Sequence, residues 1–204
     1  MKKKISWTLF GFLAIGVGLY PLLYFFIGRR FGLLNSKTEV LLNDAIWNIG
    51  FYGHIIFGGI ALMIGWLQFS KKLQNKNIKL HRIIGKIYVI TVLISGICGL
   101  YIGLHATGGI ISKLGFISLG LVWLTTTILG YKAIKSGNIE LHQKHMLYSY
   151  AACFAAVTLR IWLPILTIVM NGFIPAYRIV AWLCWVPNLI VAHFILKKRT
   201  TATD

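Results

Sequence analysis

Six side chains in this sequence could do chemistry in an apolar setting: His54, His81, His105, His142, His145 and Arg160. A neutral imidazole ligates transition metals and carries protons. A guanidinium keeps its charge and asks for an anion or several acceptors. His54 has Gly50 and Gly58 four residues to either side. On a helix that leaves open space on the imidazole's own face, room for a neighbouring backbone or for a planar ligand. His81 opens the run His81-Arg82-Ile83-Ile84-Gly85-Lys86-Ile87-Tyr88, and a stripe of Gly96, Gly99 and Gly103 leads on to His105. Along a helix His81 and His105 stand about 36 Å apart, so they belong to opposite membrane faces. His142 and His145 precede a small, apolar stretch that ends at Arg160 and Pro164. His145, Ser149, Ala152, Ala156 and Arg160 follow one another at helical steps and share a face. That face is small in the middle and polar at both ends. It suits another helix held close, or the flat side of a cofactor.

The elements that position these groups follow from composition. The chain is 57% hydrophobic and only 12% charged, with mean hydropathy +0.76. An average soluble domain is about 45–50% apolar and about 25% charged. Lipid is therefore the solvent for most of the chain. The expected fold is all-α, a polytopic membrane helix bundle with six transmembrane helices. It forms one integral membrane domain over residues 1–204, with spans near 5–27, 46–69, 81–104, 110–131, 146–170 and 176–196. The first apolar run is too long for the core of a signal peptide and ends in Gly28-Arg29-Arg30, so it reads as a retained span, bent at Pro21. Ser36 and Glu39 fit a capping box and predict a short interfacial helix over 37–45. Pro164 cannot donate to the Arg160 carbonyl, which predicts a broken fifth span beside a buried charge.

The net charge is +17, from 21 basic and 4 acidic residues. The basic residues sit mainly between apolar runs, which argues for anchoring and topology and against nucleic acid. Fifteen fall at the ends facing one side, five at the other, and Arg160 lies within a span. That bias predicts cytoplasmic termini in a multi-pass cell-membrane protein. Cys98, Cys153 and Cys184 lie in apolar runs and read as packing.

Topology then sorts the histidines. His81, His142, His145 and His193 fall toward the inner side, and His54 and His105 toward the outer, with Arg160 in the outer half. An arginine there must face the bundle interior or a wet cavity. Its partner is outer-loop Glu39 or Asp44, helix carbonyls, or a ligand anion. Four readings compete. Bis-histidine haem b binding would use His81 with His145 or His142, and His54 with His105. Arg160, or Arg29 and Arg30, would face the propionates, and Gly50, Gly58 and Gly85 would clear the rings. Such a protein carries electrons across the lipid bilayer and needs a quinol or protein electron donor. A divalent metal could sit on His142 and His145 with His81 or His193 added. A transporter or ion-pathway protein would use Arg160 as an anion site. A cofactor-free assembly or scaffold protein would need none of these.

Three separated stretches carry a resemblance: His54 to Phe69, HRIIGKIYV over 81–89, and LHQKHMLYSYAACFAAVTLRIWLP over 141–164. Together they resemble a large bacterial family of multi-span membrane proteins defined as a domain of unknown function. The resemblance covers about residues 46–170. It implies motif positions at His54, His81, Arg82, Gly85, Tyr88, His142, Met146, Leu159 and Arg160, and it brings no established activity. The family pattern places an Arg and often a Trp near the later His, where this chain has Lys144 and His145. Whether His142 or His145 is the conventional position is thus left open. The layout is also broadly similar to di-haem b-type membrane cytochromes, at the level of the fold alone.

Overall fold

In lipid a backbone has no partner but itself, so apolar runs of this length fold as helices. The computed structural model describes residues 2–27 and 30–200, and of residues 2–6, 199 and 200 the backbone; Arg29 and Asp204 lie outside the described residues. In chain order the helices are α1 (Lys2–Leu19), α2 (Leu23–Phe26), α3 (Glu39–Asn43), α4 (Ala45–Gly65), α5 (Lys71–Lys76) and α6 (Ile78–Gly103). They continue as α7 (Ile110–Lys135), α8 (Ile139–Cys153), α9 (Ala155–Val169), α10 (Phe173–Leu183) and α11 (Val186–Thr200). Among the described residues there is no strand. Six stretches are long and apolar enough to cross a membrane: Trp7–Phe26, Ala45–Phe69, Ile78–Gly103, Ile110–Lys135, Ile139–Val169 and Phe173–Lys198. The chain is thus an all-α membrane protein with six candidate spans. It divides into two compact units, Met1–Ile102 and Gly103–Asp204.

In the first unit α1 lies on α4 through glycine. A Cβ on Gly59 would stand 2.5 Å from the Gly18 carbonyl oxygen, and one on Gly18 would stand 2.9 Å from the Gly59 carbonyl. Only missing side chains allow backbones so near, and dispersion at that range holds helices together where lipid removes the hydrophobic drive. Pro21, where a bend was expected, sits in a 3-10 turn over Tyr20–Leu22 that parts α1 from α2. Beyond it Tyr24, Leu34, Leu42, Trp47 and Phe51 form a buried cluster. Trp47 stacks on Phe51 with ring centroids 5.2 Å apart.

The short helix after the first span is α3, and its cap differs from the expected one. Thr38 accepts from the Leu41 backbone N–H, while the Ser36 hydroxyl donates to the Leu33 carbonyl. Gly32 through Ser36 already form a 3-10 turn, so Ser36 belongs to that turn and is not at the mouth of a helix. Glu39 pairs with Arg30 instead of reaching back to a cap. Asp44 then caps α4 by accepting from the Trp47 N–H at 2.9 Å, worth about 1 kcal/mol.

In the second unit α7 and α8 form a tight hairpin. Gly137, at φ +80°, makes the turn that leads to Asn138, and Asn138 caps α8 by accepting from the Leu141 N–H at 2.9 Å. The cap starts the helix at Ile139, so His142 and His145 lie on its opening turns rather than in a loop before it. The fifth span is interrupted at Phe154 and not at Pro164, which lies inside α9. A proline costs an inner helix one bond, and exposed Pro164 leaves α9 continuous. At Phe154 a short turn from its carbonyl to the Val157 N–H, 2.9 Å, separates α8 from α9. The sixth span is interrupted as well, at Cys184 and Trp185 between α10 and α11.

Candidate functional site

In the first unit Ser95 fixes His54 across α4 and α6. His54 Nδ1 is 2.9 Å from the Ser95 carbonyl oxygen, and the Ser95 hydroxyl donates to the His54 carbonyl at 2.8 Å. A carbonyl only accepts, so Nδ1 carries the proton and Nε2 is the lone-pair nitrogen. Ligating imidazoles are commonly oriented by a bond of this kind. Ser95 is fully buried and completes the exchange of bonds between the two helices. The sequence reading missed it, because a serine in an apolar run that also holds Thr91 gives no sign of which carbonyl it serves.

The glycines around His54 are spent on helix contact. A Cβ on Gly50 would meet the Tyr101 ring at 2.8 Å, one on Gly53 the Cys98 sulfur at 2.9 Å, and one on Gly58 the Ser95 hydroxyl at 2.9 Å. On the facing helix a Cβ on Gly99 would meet His54 Nδ1 at 2.8 Å. The ring clearance expected of Gly50 and Gly58 is therefore filled by α6. Gly85 instead faces Gln68, whose Oε1 would be 3.2 Å from its Cβ. His81 is half-buried and lies near the start of α6, with Arg82 exposed beside it. Fourteen residues separate His81 from Ser95, so His81 and His54 stand roughly 21 Å apart along that helix.

In the second unit His142 Nδ1 is 2.8 Å from the Gly130 carbonyl oxygen of α7. The same reasoning gives it an Nδ1 proton and a lone pair on Nε2. One turn on, His145 is half-buried, with Nδ1 out of solvent and without a hydrogen-bond partner. Both rings stand near Gly130, where a Cβ would meet the Met146 sulfur at 2.8 Å and the His145 Cβ at 3.3 Å. Further along the same face Ser149 is fully buried, 2.6 Å from the Thr127 hydroxyl. Thr127 donates to the Trp123 carbonyl at 2.7 Å, so Ser149 is the donor between the two hydroxyls. The small face of α8 thus holds a helix close, one of its two expected uses. His105 is half-buried in the turn after α6. The exposed His193 has its Nδ1 3.2 Å from the hydroxyl of half-buried Tyr148.

Arg160 is half-buried on α9, and its Nη1 donates to the Ala156 carbonyl at 2.8 Å. Helix carbonyls were one of its expected partners. The two acids expected as partners are engaged elsewhere, Glu39 with Arg30 and Asp44 at the α4 cap. The two span breaks share a knot of polar groups. Asn188 Nδ2 donates to the Cys184 carbonyl at 3.0 Å and to the Ala151 carbonyl at 3.2 Å. The Thr158 hydroxyl donates to the Cys184 carbonyl from the other side. Among the described residues no three of His, Cys, Asp or Glu gather in a group that could hold a metal ion. The divalent site on His142, His145 and a third histidine therefore finds no such cluster. Cys153 and Cys184 are buried and Cys98 half-buried, all as free thiols.

Residues 51–196 match the family described as predicted membrane protein (DUF2306), and the chain belongs to that family. No curated protein and no solved structure matches the chain.

Proposed function

We propose that this membrane protein binds haem b through histidine and passes electrons across the bilayer. The observation that carries the reading is the shared tautomer of His54 and His142. Each gives its Nδ1 proton to a helix carbonyl and keeps the lone pair on Nε2, the nitrogen an iron would take. His54 and His81 in the first unit, and His105, His142 and His145 in the second, are the candidate axial ligands. Arg160 supplies positive charge for a carboxylate such as a propionate. Haem would supply one-electron chemistry, and the chain's part is to orient the imidazoles and exclude water. A quinol or a protein would be the electron donor.

An absorption spectrum of the detergent-purified protein, oxidised and then dithionite-reduced, tests this reading. The expected result is a Soret band with sharp reduced alpha and beta bands, diminished in His54→Ala and in His142→Ala. A colourless, well-folded protein from cells given ample haem sinks it.

A second reading rests on the two broken spans. Discontinuous helices expose carbonyls and helix ends at membrane depth, and transporters build binding sites from them. Here Phe154, Cys184 and Asn188 make such a region near Arg160. Anion uptake into liposomes, abolished in Arg160→Ala, would support an anion pathway.

A further inference from the structure

The strongest unassigned feature lies at the start of α7, at the end of the turn that begins after α6 and carries His105. Gly108 and Gly109 have φ +95° and +79°, a region that glycine enters freely. They swing the chain into a 26-residue helix whose N-cap, Gly109, offers no side chain to its first turn. A helix N-terminus of that length carries about half a positive charge and N–H groups in want of acceptors.

Two side chains add to this, each in its own way. Ser112, at the third helical position, is completely buried, and its hydroxyl has no hydrogen-bond partner. The hydroxyl is turned into the glycine turn, 2.6 Å from where a Cβ on Gly108 would be. Arg178, from α10, donates from Nε to the Gly108 carbonyl at 2.7 Å. That bond holds the side chain against the turn and leaves both Nη groups without a protein acceptor among the described residues. Lys113 adds a second cation on the next residue. A cation at the positive end of a helix is unfavourable unless an anion lies between them. Glu140, the one described carboxylate of the second unit, belongs to the other end of the α7–α8 hairpin and does not serve. Beside Gly109 a Cβ would meet nothing within 4 Å, so there is room for an occupant.

We infer that the Gly108–Gly109 turn, Ser112 and Arg178 form an oxyanion site for a phosphate group at the membrane interface. A phosphodiester of a lipid headgroup and a free phosphate offer the same oxygens to it. Oxygens seated over the turn accept from the first-turn N–H groups and from the Arg178 fork, and give the Ser112 hydroxyl an acceptor.

The test is thermal unfolding of the delipidated full chain in detergent. It is titrated with sodium phosphate or with dihexanoyl phosphatidylglycerol, against sodium chloride at equal ionic strength. Wild type is expected to be stabilised by the phosphate-bearing probe and not by chloride. Half-saturation in Arg178→Lys and in Ser112→Ala should move up roughly tenfold, the loss of one charge-assisted hydrogen bond. Arg178→Lys keeps the charge and so guards against a variant that fails to fold. Ser112→Ala separates ligand from packing: without probe it should be no less stable than wild type, because it removes a buried hydroxyl that had no acceptor. A response to the phospholipid alone assigns a lipid anchor, and a response to both assigns a site open to free phosphate. Wild type indifferent to both probes, or variants that titrate like wild type, would overturn the inference.

Discussion

At the scale of single residues, the histidines divide by what their Nδ1 atoms do. His54 and His142 spend that nitrogen on a carbonyl, and His145 does not. The first pair are positioned rings, whatever they hold. Hydrogen bonds between membrane helices average about 0.6 kcal/mol and reach about 1.7. Ser95→Ala and His54→Ala should each lower stability by about that much, and the double variant should lose less than the two together. Thermal melts of the three variants in detergent check the coupling; strict additivity would mean that the two side chains do not support each other. Arg160→Ala should reduce the yield of folded protein more than Arg178→Ala, because Arg160 is half-buried in a span and Arg178 is exposed. Size-exclusion profiles of the two variants measure this, and equal, mild losses would count against a structural or site role for Arg160. His54, His142 and Arg160 could be singled out from the sequence because polar types stand out in apolar runs. Ser95, Ser112 and Asn188 could not, since a serine or asparagine in such a run gives no sign of which carbonyl it serves.

At the scale of elements, glycine decides which helices touch. Gly130 faces Met146 and His145 at distances that leave no space for a side chain. Gly130→Leu should therefore part α7 from α8 and cost about 1–3 kcal/mol, as overpacking does. A drop in unfolding temperature together with a weakened Thr127–Ser149 pair, read as loss of coupling in a double-mutant cycle, is the expected result. The spacing of the glycines was legible from the sequence, and the elements they would touch were not. The Gly50 and Gly58 positions suited a planar ligand or a neighbouring backbone equally, and only the placement of Tyr101 and Ser95 on α6 decides between them. Proline misled in a related way. Pro164 carried the expected break, yet the chain turns ten residues earlier, where Thr158 and Asn188 gather the carbonyls of two helices. A break set by distant partners leaves no mark in the local pattern.

At the scale of the whole molecule, the number and class of the spans could be read directly, because hydropathy and length are sums over many residues and tolerate local error. Orientation rests on the distribution of basic residues alone. A reporter fused after Asp204 should read as cytoplasmic, and an exported signal would reverse the sides of all six spans. Each unit holds three of those spans, Met1–Ile102 the first three and Gly103–Asp204 the last three. The boundary falls at the last residue of α6, just before the turn that carries His105 and the Gly108–Gly109 pair.

The knot around Asn188 bears on insulation. Two helices interrupted in hydrocarbon would ordinarily recruit water to their loose carbonyls, and a file of water conducts protons. Here a single amide takes both carbonyls in hand, Ala151 and Cys184, with Thr158 seconding it. The last two spans can thus be interrupted without wetting the bilayer's interior, which the electron transfer proposed above would require. Asn188→Leu in proteoliposomes should show the cost as a faster collapse of an imposed pH gradient, at unchanged protein density.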